Sequence, residues 1–129
     1  MISPSTAGPL GVKHLPRIWL KLSLDARNKL PGQYLPLSSD IDRFVLTRIG
    51  LDVGSVVIFV RSNLPSYQEF EDWISTQPGV DLSDEALHEI DIAVEMVMNG
   101  INLADWRLIH EIELRRSVTA SKQPMLFVD

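Results

Sequence analysis

The stretch LDVGSVVIFVRSN, residues 51–63, decides the fold class. Its centre, Val56-Val57-Ile58-Phe59-Val60, is an apolar run rich in β-branched side chains, a composition that suits a buried strand. The spacing argues the other way. Val53, Val56, Val57 and Val60 recur at i, i+3, i+4 and i+7, one face of a helix, and Asp52 stands where an N-cap side chain belongs. The segment is therefore read as a helix, and nothing elsewhere in the chain alternates with the two-residue period of a half-exposed sheet. The predicted fold is all-α, a single compact domain of about six short helices.

Towards the C-terminus, Ser66 and Glu69 form a capping box that opens YQEFEDWISTQ, in which Tyr67, Phe70, Trp73 and Ile74 share a face before Pro78-Gly79. Ser83 caps DEALHEIDIAVEMVMNG, whose apolar stripe is Leu87, Ile90, Val94, Val97 and Met98 and which Gly100 ends. Asn102 with Asp105 opens a last helix, LADWRLIHEIELRRS, with Arg115 and Arg116 at its negative end. Towards the N-terminus, Ser39 with Asp42 offers a cap for DIDRFVLTRIG, stopped by Gly50, and LPGQYLPLSS reads as a loop. The first helix begins near His14 with Pro16 in its first turn and carries Leu15, Ile18, Trp19, Leu22, Ala26 and Leu30 at helical spacing. Residues 1–11, rich in Ser, Pro and Gly, are expected to be a flexible N-terminal arm, and residues 12–129 the helical domain. The terminal QPMLFVD reads equally as a loose tail or an apolar peptide docked on the domain.

A chain of 129 residues with 45% hydrophobic content buries one core without staples, and the absence of Cys excludes disulfides and thiolate chemistry. No apolar run has the length of a membrane span, and MISPSTAGPLG has no secretory signal pattern, so a cytoplasmic location is expected. The net charge of -5 argues against nucleic acid and anionic membranes as partners, and no motif calls for a cofactor. Charge is unevenly placed: residues 1–66 hold eight Lys or Arg against four Asp or Glu, and residues 67–129 hold four against thirteen. Such halves are expected to attract, within the fold or between two copies.

HLPRIWLKL and LPGQY, followed by FVLTRIGLDVGSVVIFVRSNLPSYQEFEDWI, resemble a family of small bacterial helical proteins catalogued as a domain of unknown function, of the 5069 type. The resemblance covers roughly residues 11–75 and is most specific at Leu15-Pro16-Arg17, Lys21 and Gly32-Gln33-Tyr34. It implies a helical fold in a bacterial, intracellular setting, and no reaction or cofactor. In that family an acidic residue usually precedes the lysine and a basic one follows two positions after it. Here those positions hold Leu20 and Ser23. The departure gives the first helix a second apolar side, Leu20 and Leu24, opposite the Leu15, Ile18 and Leu22 face, which suggests a homodimer or partner interface.

Lys13, His14, Arg17 and Lys21 crowd cations around the start of a helix, the end that is already positive. Joined by Tyr34, they are a candidate site for a small anion, phosphate or carboxylate, with Arg17 as the bidentate donor. The competing expectation is that acidic side chains of residues 67–129 neutralise them. Glu85 and His88 make an E-x-x-H pair, which di-metal bundles use twice with further carboxylates; it occurs once here, on a polar stripe, and is read as a solvated face. His110 falls in an apolar stripe and is read as a core or interface histidine. Trp19, Trp73, Trp106 and the other aromatics are read as core, because basic residues do not interleave with them.

Overall fold

The computed structural model describes residues 1–37, 39–105, 108 and 111–112. Its five complete helices are α1 (Leu15–Ala26), α2 (Ser39–Arg48), α3 (Val53–Asn63), α4 (Tyr67–Thr76) and α5 (Asp84–Met98). A further helical stretch includes residues 103–105, 108 and 111–112. The fold is all-α, and among the described residues the single β-type contact is an isolated bridge between Ala7 and Lys13.

The stretch 51–63 is helical. Asp52 has extended backbone and its carboxylate accepts hydrogen bonds from the Ser55 N–H and hydroxyl, both at 2.9 Å. The cap supplies what β-branched composition withholds, and Val56 and Val60 are fully buried at the spacing read from the sequence. Ser66 and Glu69 close both arms of their capping box, and Ser83 caps α5 through the Ala86 N–H. Gly100 follows α5 with φ 82 and Asn102 accepts from the Ala104 N–H ahead of the last stretch.

Helix α1 stops earlier than its apolar spacing predicts, at Ala26 instead of Leu30. Asn28 takes a left-handed conformation, and the Lys29 N–H returns to the Leu24 carbonyl at 2.8 Å, a Schellman closure that the asparagine permits. Ser39 is the first residue of α2, and the Asp42 carboxylate reaches into the core, where it meets His14 and Lys21.

Helix α1 packs on α3 and α4, and α2 packs on α5 and α3. Between them lies one core that includes Leu15, Ile18, Val45, Ile49, Phe70 and Ile90. Phe59 stacks on Trp73 with centroids 4.3 Å apart, and Trp19 meets Tyr67 edge-on while its indole N–H donates to the Pro65 carbonyl.

Residues 1–11, expected as a flexible arm, lie against the helices. The Thr6 carbonyl accepts from the His14 N–H at 3.0 Å, the Ile2 carbonyl from Arg17 at 2.8 Å, and Val12 is wholly buried. Buried Glu71 accepts from the Leu10 N–H and the Tyr67 hydroxyl. Gly8 sits so close to both side chains that a Cβ there would fall 2.5 Å from the Tyr67 ring. Backbone groups make most of these contacts, and Leu10 packs against the core.

Candidate functional site

The basic start of α1 resolves into a buried cluster and a surface remnant. His14, Ile18 and Lys21 stand at i, i+4 and i+7 on one helix face, so a histidine and a lysine enter the core beside an isoleucine. On α2, Asp42 heads a stripe with Val45, Leu46 and Ile49, all buried, and so faces them. His14 is 3% exposed, Lys21 1% and Asp42 0%. Asp42 Oδ1 lies 2.5 Å from His14 Nε2, and Lys21 Nζ donates to Oδ2 at 2.6 Å.

Burial by itself would raise the Asp42 carboxyl, but hydrogen bonds and charge from His14 and Lys21 outweigh it and hold the group below its ordinary value. An ionised carboxylate only accepts, so the hydrogen of the short contact sits on His14 Nε2. His14 Nδ1 is buried with no partner among the described residues. The backbone of His14 is left-handed, φ 75, while its carbonyl still accepts from the Ile18 N–H; the non-glycine residue at this helix start holds a sparsely populated conformation to aim its ring at Asp42.

The five residues expected to form an anion site are therefore not brought together. His14 and Lys21 point inward onto Asp42. Arg17 lies over the Tyr34 ring, its guanidinium carbon 5.7 Å from the centroid, and is tied to the Ile2 carbonyl. Lys13 faces a separate cleft with Val94 and Glu95. Among the described residues, the carboxylate that meets His14 and Lys21 is Asp42, from the basic half of the chain. Sequence reading assigned Asp42 to a helix cap. The signal that points to its core contact is the position of a carboxylate inside the apolar stripe of α2, matched by a histidine and a lysine on one face of α1.

The opposite-charge halves meet elsewhere: Arg48 donates to Glu89 at 2.6 Å and to Asp81 at 2.9 Å, joining the end of α2 to α5 and the turn before it. Leu20 and Leu24 are half-buried and stand outside the core cluster. Glu85 and His88 are exposed on α5, and among the described residues no group of three His, Asp or Glu is placed to hold a metal ion. No helix among them is long and apolar enough to cross a membrane. Trp106, His110 and the QPMLFVD segment lie outside the described residues. Comparison of the chain with family models, with curated proteins and with solved structures finds no match.

Proposed function

We propose that this protein is a helical interaction module that pairs with a second copy of itself through the outer side of α1. The observation that supports this reading is the state of Leu20 and Leu24, one turn apart, half-buried and outside the core cluster. The alternative use of the same helix, an anion site at its basic start, loses its two innermost cations to Asp42. An incoming phosphate would have to displace a fully buried carboxylate that meets both at hydrogen-bonding distance. A self-complementary apolar strip on one helix is the kind of surface that a two-fold axis pairs with its own copy. A bacterial, cytoplasmic setting goes with this reading and rests on the sequence alone.

Sedimentation equilibrium of the full chain tests it. The native protein should have the mass of a dimer, and Leu20→Glu with Leu24→Glu should reduce it to a monomer that melts with a single cooperative transition. An unchanged mass in a folded double variant would refute the interface, and a monomeric native protein would refute the pairing itself.

A further inference from the structure

Burial changes sharply at Gly11. None of residues 1–10 is buried, whereas Val12 and Leu15 are wholly so. What ties the first ten residues to the helices, among the described residues, is the Leu10 N–H on the buried Glu71 carboxylate at 3.3 Å, Arg17 on the Ile2 carbonyl at 2.8 Å, and the His14 N–H on the Thr6 carbonyl at 3.0 Å. Leu10 adds its side chain to the edge of the core. A segment with so little buried apolar surface opens at a lower free energy than the core elements beside it.

The segment also has a shape of its own. The Thr6 N–H donates to the Ser3 carbonyl at 3.1 Å and the Gly11 N–H to the Gly8 carbonyl at 2.9 Å, two turns that need no helix to form. At its end Gly11 has φ 79, a region that a residue without a Cβ enters and leaves freely, so the chain has a pivot just ahead of buried Val12. The seat is tight at one point. A Cβ on Gly8 would lie 2.5 Å from the Tyr67 ring and hydroxyl and 2.6 Å from Glu71 Oε2. Beneath the segment the Tyr67 hydroxyl donates to Glu71 at 2.7 Å, and burial together with that carboxylate pushes the phenol above its ordinary value.

We propose that residues 1–10 are a releasable strap: they lift from α1 and α4 as one unit, pivoting at Gly11, while the helices stay folded. Lifting bares the Glu71 carboxylate and the Tyr67 hydroxyl. The seat so opened is built for extended backbone, with Glu71 to accept from an N–H and Arg17 and the His14 N–H to donate to carbonyls.

Native-state amide hydrogen exchange of the full chain, repeated at rising but sub-denaturing urea, tests the strap. The Leu10 and His14 amides should share one opening constant, larger than that of the Val60 and Ile90 amides in the core. The shared opening should depend only weakly on urea, since little surface is exposed, while the core amides should show the steep dependence of global unfolding. Gly8→Ala crowds Tyr67 and should raise the strap constant about tenfold or more, with its weak urea dependence kept. Ala7→Ser, at an exposed neighbour, should exchange as the native protein does. Leu10 and His14 amides that open only with Val60 would overturn the proposal. So would different constants for Leu10 and His14, or a native constant in Gly8→Ala.

Discussion

Asp42 ties α2 to α1 through two buried contacts, with His14 and Lys21. A histidine and a lysine point at one carboxylate in a place where none of the three is more than 3% exposed, so removing the anion leaves two buried donors facing each other. Asp42→Asn should lower the unfolding free energy by about 3–5 kcal/mol, read by urea denaturation at neutral pH. Because the folded chain holds the Asp42 carboxyl below its ordinary value, the unfolded chain binds that proton more readily. Its contribution is complete above the ordinary aspartate value of about 4 and is lost as pH falls through the lower folded value. The urea midpoint of the native protein should therefore fall in that acidic range, and Asp42→Asn should show a smaller fall from its lower plateau. Gly50 is a second point of dependence: with φ 85 and a would-be Cβ 2.2 Å from the Gly79 carbonyl oxygen, Gly50→Ala meets both backbone strain and a clash. Its thermal midpoint should drop by several degrees, corresponding to more than about 1 kcal/mol.

The helices show what was legible from spacing and what was not. Caps were readable because they are local: Asp52, Ser66 and Ser83 each satisfy an N–H three residues away, and the residue type at that distance is nearly the whole condition. The buried cluster was not, because the local signature of Asp42 says nothing of a contact to α1. Only the packing of two helices brings it to His14, 28 positions away in the chain. The docked N-terminal segment failed for a related reason, as its ties run to a glutamate on α4, 61 residues away. The turn that leads into α5 offers a test at this scale. Asp81 accepts from the Ser83 N–H and from Arg48, which drive its carboxyl down to about 2. Stability from this group is full above the ordinary aspartate value of about 4 and disappears as pH falls towards 2. Asp81→Asn should flatten the acid limb of the native stability curve between those two pH values while leaving the helix content at neutral pH intact by circular dichroism.

At the scale of the whole molecule, the ion pairs among the described residues fall into an exchange across halves, Arg48 with Asp81 and Glu89, and two contacts within the basic half, the buried His14–Asp42–Lys21 cluster and the Arg61–Asp25 pair. His14 and Lys21 are thereby turned inward, while half-buried Leu20 and Leu24 stand outside the core cluster. This division explains why the first helix combines cations on its core side with leucines on the other, an arrangement that neither an ordinary amphipathic helix nor an anion site requires. It also separates two kinds of observable, since contacts within the fold do not depend on protein concentration and contacts between copies do. The most direct measurement is a dilution series of the native protein followed by side-chain resonances. The methyl groups of Leu20 and Leu24 should shift with concentration along a monomer–dimer curve, while the ring of His14 and the Nζ of Lys21 hold their positions. Leucine methyls that stay fixed across the series, or a His14 ring that moves with them, would contradict a module that locks its charges inside and pairs through the outer side of its first helix.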